Sequence, residues 1–160
     1  MANLVLTSTM PLFGTAWTGT APGPGNPTVS GTITSTTDFS SFAKQITINQ
    51  NVAMQDMTTF GDGGFITQKP GLKGADITID FNQDFAAASA TDVIFGSAYL
   101  AATLYYVDIE PTSAARSTTN PSYVYAVYVS AYPVIGQTVG DRASVTVGFA
   151  VTGTFARLTA

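Results

Sequence analysis

The chain of 160 residues contains no cysteine and no histidine. The first absence removes disulfide cross-links and thiolate metal sites. The second removes the side chain that titrates nearest neutral pH, and with it most general-base chemistry and imidazole ligation of metals. Ser-His-Asp and Cys-His nucleophile sets are excluded together. Charge is scarce as well: Lys, Arg, Asp and Glu make up 10% of the residues, and the formal net charge is −4. The basic residues are scattered at Lys44, Lys69, Lys73, Arg116, Arg142 and Arg157, whereas a nucleic-acid grip depends on clustered Lys and Arg. No apolar run approaches the ~20 residues of a membrane helix. The first residues, MANLVLTSTM, lack the basic residues and long apolar core of a signal peptide. The expectation is a soluble protein made in a cytoplasm, with no cofactor, no metal and no membrane partner.

What the chain does have is Thr, Ser, Ala, Gly and Val in quantity, a composition that favours strands over helices. The length suits one domain with room for a two-layer core. The most informative stretch runs from Thr58 to Asp84. Within it Ala75, Ile77, Ile79 and Phe81 fall on one face and Asp76, Thr78 and Asp80 on the other, the period-2 pattern of a half-buried antiparallel strand. Ahead of it, Gly61, Asp62, Gly63 and Gly64 form a loop whose glycines reach backbone angles closed to other residues. Such a loop is expected to take its order from a contact outside the domain. Lys69-Pro70-Gly71 reads as a turn.

Along the rest of the chain, Ala2 to Thr9 reads as a short strand and Pro11 to Pro27 as a loop. APGPGNP, Ala21 to Pro27, is the least foldable part of that arm, because its prolines and glycines disfavour regular structure. Trp17 in the arm has two readings: a cap folded back on the core, or an anchor into a neighbouring subunit. Val29 to Thr36 and Phe42 to Asn49 read as strands. Gln50-Asn51 reads as a turn, with Val52 to Phe60 as a returning arm. Ser89 to Asp92 has the form of a helix start, and Val93, Ile94, Ala98 and Ala101 recur at helical spacing, so one short helix is predicted from about Ala90 to Leu100. Strands follow at Leu104 to Glu110, Ser122 to Ser130, Ala143 to Val151 and Thr154 to Leu158, with loops at Pro111 to Pro121 and Pro133 to Asp141. Ser122 to Ser130 is apolar on both faces, as a central or covered strand would be. The predicted fold is mainly β: an antiparallel β-sandwich or partly closed barrel with one short flanking α-helix and an extended N-terminal arm. Residues 1–30 form the arm and 31–160 the single sandwich domain.

Candidate chemistry is thin. Asp76 and Asp80 share one strand face about 13 Å apart at the usual rise, wider than the ~5–9.5 Å of glycosidase carboxylate pairs, so a solvated outer face accounts for them. Gly61 to Gly64 is no phosphate-binding loop, since no Gly-Lys-Ser/Thr follows. FNQDFAAASATD lacks the ligand spacing of a calcium loop. An enzyme is not expected.

The string VAMQDMTTFGDGGFITQKPGLKGADITIDFNQDFAAASATDVIF resembles the core of the tail tube (major tail) proteins of long-tailed bacteriophages, in its TTFGD loop, GLK turn, alternating strand and short helix. IEPTSAARSTTNPSYVYAVYVSAYPVIGQTVGDRASVTVGF resembles their closing half. The similarity covers roughly Phe42 to Phe155; the N-terminal arm is longer and richer in Pro and Gly than in compact members. The resemblance implies a non-enzymatic virion protein, made in the bacterial host cytoplasm, that partners itself in stacked homo-hexameric rings and meets other virion proteins. DNA would pass through the channel without specific binding. The assembly interface would then be Trp17, Phe60, Gly61, Asp62, Gly63, Gly64, Phe65, Lys69 and Lys73. Asp76, Thr78 and Asp80 would face the lumen, where an acidic wall lets phosphates slide. Deleting residues 2–27 is expected to leave a folded monomer that no longer polymerises. A capsid decoration protein remains the alternative, and a carbohydrate-binding module using tyrosine platforms a further one.

Overall fold

The computed structural model describes residues 9–26, 28–83, 92–134 and 143–159, and ten strands carry their fold. They are β1 (Met10–Gly14), β2 (Ala16–Thr18), β3 (Thr32–Thr34), β4 (Thr37–Asp38), β5 (Ala43–Asp56), β6 (Gln68–Asn82), β7 (Tyr105–Glu110), β8 (Ser122–Ala131), β9 (Ser144–Val151) and β10 (Ala156–Leu158). Eight of them form one antiparallel sheet in the order β4-β1-β7-β8-β9-β6-β5, with β10 continuing along the edge of β8. β2 and β3 form a separate two-stranded ribbon. The sheet does not close: β4 and β5 stand at its two ends. A tight turn joins them, in which the Phe42 and Ala43 amides donate to the Phe39 carbonyl at 3.0 and 2.9 Å.

Alternation sets the register. Ile77 and Ile79 of β6 lie opposite Ile48 and Ile46 of β5 on one side and Phe149 and Val147 of β9 on the other. Ala75, Ile77, Ile79, Phe81, Val145, Val147 and Phe149 are all buried. A slip of one residue would turn this whole set outward.

The helix predicted near residue 90 is present among the described residues as a single π turn, Asp92–Gly96, leading into α1 (Ser97–Ala101). The proposed Ser89 cap lies outside the described residues. Asp92 accepts a hydrogen bond from the Tyr132 hydroxyl at 2.7 Å, and that hydroxyl accepts one from Gln83 Nε2 at 2.8 Å, so the helix is tied to the ends of β8 and β6. Burial, and after it the Asp92 carboxylate, push the Tyr132 phenol up to about 12. The helix delivers Phe95, which is fully buried and meets the rings of Phe13, Phe39, Phe81 and Phe149 at centroid distances of 4.9–5.5 Å.

The segment read as a loop from Pro11 differs from expectation. Met10–Gly14 is a strand set between β4 and β7, and it places Phe13 in the core. Phe13 is flanked by Leu12 and Gly14, so no alternation of several residues announces it. The Pro/Gly-rich part beyond lies against the body: Pro22 and Gly23 are buried, and Gly23 exchanges two 3.0 Å backbone hydrogen bonds with Thr154. Gly153, at φ 69°, makes this approach possible, because a Cβ there would stand 2.0 Å from the Gly23 carbonyl carbon.

β7 is covered on both faces. Val107 and Ile109 point into the core, while Asp108, 1% exposed, points the other way and is met by Arg116 and the Ser122 hydroxyl. Arg116 also contacts Glu110 at 3.1 Å and donates to the Gly31 carbonyl at 3.1 Å. Asn120, buried in the same loop, holds it in shape by accepting from the Thr112 amide and donating to the Ala114 carbonyl.

Phe81→Ala is expected to cost roughly 3–5 kcal/mol in chemical denaturation; a change under ~1 kcal/mol would be incompatible with the core described. Arg116→Ala strands a buried carboxylate and should cost roughly 3–5 kcal/mol in the same measurement. Removing residues 2–27 takes away β1 and Phe13, so the truncated chain should lose the cooperative unfolding transition rather than yield a folded monomer.

Candidate assembly surface

The hairpin of β5 and β6 is longer than the body it grows from. Its inner half packs Ile46 and Ile48 against the core. From Asn49 to Asp56, every β5 residue is exposed, and so are Gln68, Lys69, Pro70, Leu72 and Lys73 opposite. β9 pairs with β6 only from Asp76 onward. The outer half is therefore a two-stranded ribbon, and eight residues at ~3.3 Å each carry it about 25 Å outward.

Two predicted turns are absent here. Gln50-Asn51 continues β5, and Lys69-Pro70-Gly71 lies inside β6, with Pro70 opposite Met54. Proline is tolerated because each ribbon strand has an unpaired edge, where a missing N–H breaks no ladder. A register irregularity between Val52 and Met54 falls at the same place.

The ribbon and its tip carry apolar side chains in water. Phe60 is fully exposed; Leu72 is 84%, Phe65 78% and Ile66 74% exposed, and Val52, Met54 and Met57 add to them. Large exposed apolar side chains are what an interaction site presents, and they make the hairpin the candidate surface.

The tip supplies its own order, contrary to the expectation that an outside contact does so. The Asp62 carboxylate accepts from the Thr59 amide at 2.6 Å and from its hydroxyl at 3.2 Å. The Asp56 carboxylate accepts from the Thr58 amide at 2.8 Å and from the Thr58 hydroxyl. The Thr58 hydroxyl accepts in turn from the Thr67 amide at 3.0 Å, and the Met57 amide donates to the Thr67 carbonyl at 2.8 Å. Gly63 (φ 61°) and Gly64 (φ 87°) turn the chain in the left-handed region, and a Cβ at either would meet nothing within 4 Å. These glycines serve conformation rather than space.

Phe60, Gly61, Asp62, Gly63, Gly64 and Phe65 thus lie together at the tip. Lys69 and Lys73 lie on the ribbon to either side of that register irregularity, opposite Gln55 and Val52 respectively; both are exposed, and neither has an ion pair among the described residues. Trp17 is not brought to them. Its ring is half-buried 5.6 Å from Tyr106, and its indole N–H donates to the Ser30 carbonyl at 2.9 Å within the same subunit. Asp76, Thr78 and Asp80 occupy the face of β6 opposite the core. Their neighbours in register are Asn49, Thr47 and Gln45 of β5 and Ala150, Gly148 and Thr146 of β9. Asp80 accepts from the Thr146 hydroxyl at 2.5 Å. These positions are mostly polar, and the charges among them are carboxylates. The length of the ribbon was hidden by its composition, since Asn, Gln, Pro and Gly in mid-strand imitate turns; the exposed Met54, Ile66 and Leu72 were the available signal.

Hydrogen bonds from Thr58, chiefly its hydroxyl, hold the Asp56 carboxyl below its usual value, and the Thr59 amide does the same for Asp62. Groups depressed on folding contribute order above their free value, about 3.9 for Asp, and lose it as pH falls through the lower folded one. Amide exchange at Thr58, Thr59 and Thr67 should therefore accelerate selectively as pH drops below ~4, and Asp62→Ala should produce the same loosening at neutral pH. Unchanged exchange in the variant would show that the carboxylate does not order the tip.

No protein-family model matches the sequence, nor does any curated protein. Solved structures do match the fold. A chain of the native gene transfer agent virion aligns with TM-score 0.60 at 14% identity, over 76% of this chain and 88% of that one. A chain in the tail of an empty gene transfer agent particle, refined with C6 symmetry, aligns with TM-score 0.59 at 16% identity, over 74% and 83%. The SPP1 tail tube subunit aligns with TM-score 0.60 at 11% identity, over 96% and 77%. At these identities the likeness establishes a shared fold.

Proposed function

We propose that this chain is a non-enzymatic virion structural protein whose copies form stacked hexameric rings of a tail tube that conducts DNA. One observation carries the reading: an internally ordered, apolar hairpin projects about 25 Å from a subunit whose fold matches those of tail and virion chains. A monomer gains nothing by holding Phe60, Phe65 and Leu72 in water, whereas a ring or stack buries them. The open sheet supports the same conclusion, since end strands of neighbouring subunits can pair and remove exposed edges. In this arrangement Asp76, Thr78 and Asp80 line the channel. Asp76 and Asp80 present carboxylates there, which do not attract a passing phosphate backbone.

A small acidic β domain with a long Pro/Gly-rich arm also suits capsid decoration, and the arm favours it slightly. Pro22 and Gly23, however, are buried against the subunit's own strands, and the element that projects is the hairpin. A carbohydrate platform has less to build on: Tyr125 is in the core, Tyr105, Tyr123 and Tyr132 pack against it and Tyr106 lies against Trp17, which leaves Tyr99 on α1 and Tyr128 on β8 as the exposed ones.

Electron microscopy of the purified protein should show hollow tubes of sixfold rings; trimers or capsomer-matched clusters would overturn the reading. Lys69→Glu combined with Lys73→Glu should weaken stacking while the fold survives, each exposed pair being worth only ~0.2–1 kcal/mol but repeated around the ring. Tubes unaltered by this double variant would remove both lysines from the contact. Duplex DNA should not bind detectably at physiological salt, where non-specific binders reach roughly 10⁻⁴–10⁻⁶ M. Micromolar, salt-sensitive binding would contradict the channel assignment.

A further inference from the structure

Where the ends of the sheet part, a cleft of about 750 Å³ opens. Its apolar wall is made by Ile46 and Ile48 of β5, Ile109 of β7 and Tyr123 of β8, and Lys44 and Gln45 stand in its lining as well. The volume falls in the ordinary range of binding clefts, roughly 300–1,000 Å³, and it accommodates large aromatic side chains. Lys44 is exposed and has no ion pair among the described residues.

Building on the ring reading, we propose that this cleft receives the hairpin tip of a second copy of the chain, with Phe60 and Phe65 against Ile46, Ile48 and Tyr123 and the tip carboxylates facing Lys44. The two surfaces complement each other in chemistry. The tip presents exposed aromatic rings flanked by Asp56 and Asp62; the cleft presents apolar side chains beside the one basic residue of its lining. Both carboxyls are held ionised by the threonine hydrogen bonds at the tip. The occupant has to come from another copy. The ribbon that begins beside the cleft carries the tip about 25 Å away from it, so no subunit reaches its own cleft. Knob and hole also lie on different parts of one surface. Such a head-to-tail contact propagates into rings or stacks instead of ending at a dimer.

The absence of native cysteine allows a direct test. Gly61 takes a side chain without strain, its Cβ coming no nearer than 3.6 Å to Thr59 Oγ1, and Gln45 is an exposed residue of the cleft. A mixture of Gly61→Cys and Gln45→Cys proteins, oxidised under assembly conditions, should yield covalent dimers on a non-reducing gel. Gly61→Cys mixed with Leu100→Cys, exposed on α1, should yield only background. Adding Lys44→Glu to the Gln45→Cys protein should reduce the cross-link. Sixfold tubes without the Gly61–Gln45 link would overturn the cleft assignment and leave the ring reading standing. Cross-linked assemblies without sixfold symmetry would support the cleft and overturn the ring. Monomers without the link would overturn both. An intramolecular link between Leu4→Cys and Gln45→Cys, with none from Gly61, would place the chain's own first residues in the cleft and overturn the proposal.

Discussion

Packing around the ring of Phe95 is the constraint on which the rest of the fold depends. Phe13 comes from β1, Phe39 from the end of β4, Phe81 from β6 and Phe149 from β9, and each meets Phe95 within 5.5 Å. These contacts join the first strand, the turn between the sheet's ends, two central strands and the helix. Interlocking aromatic rings add attraction beyond the area they bury. They also tie the helical segment to the sheet, because Phe95 fills the space among these four rings. Five residues of α-helix could not persist alone; burial of Phe95 and Ala98 and the Tyr132–Asp92 hydrogen bond hold them.

With the core settled near the helix, the hairpin is free to leave it. Its inner half is fastened by isoleucines on both strands, and its outer half by backbone pairing and the two aspartate-threonine clusters at the tip. The polar side chains at the tip organise the loop, which leaves its apolar ones exposed. Rigidity before contact lowers the ordering cost of association. In the proposed assembly the tip meets its partner already ordered.

How much of this could be read from the sequence follows from how local each cause is. The alternation of Ala75, Ile77, Ile79 and Phe81 is a local pattern, and the strand, its faces and its core partners Val145, Val147 and Phe149 were legible. The helix was legible from Ile94 and Ala98. The ribbon was not, because Pro70 and Gly71 in a strand are permitted only by an unpaired edge, a property of the sheet. β1 was missed for a similar reason: Phe13 matters through rings arriving from distant strands. At the tip, the residues gathered from Phe60 to Phe65 were visible as a group. The hydrogen bonds that order them depend on Thr58, Thr59 and Thr67, whose role requires the loop's closed shape. Trp17 showed its aromatic character but not its direction, which the β2–β3 ribbon sets by turning it onto Tyr106.

The buried carboxylate on β7 has a consequence for how the chain finds its pairing. β1, β7 and β8 are flanked by apolar residues on both sides, and apolar contacts alone discriminate weakly between neighbouring alignments. Asp108 lies between Val107 and Ile109, facing away from the phenylalanines. Sliding β7 by one position would push its charge into the aromatic interior and separate it from Arg116 and Ser122, a penalty far larger than any gain from the displaced valine and isoleucine. Asp108 therefore acts as an alignment key for the strand: a residue that contributes little net attraction, yet makes misaligned sheets too costly to accumulate.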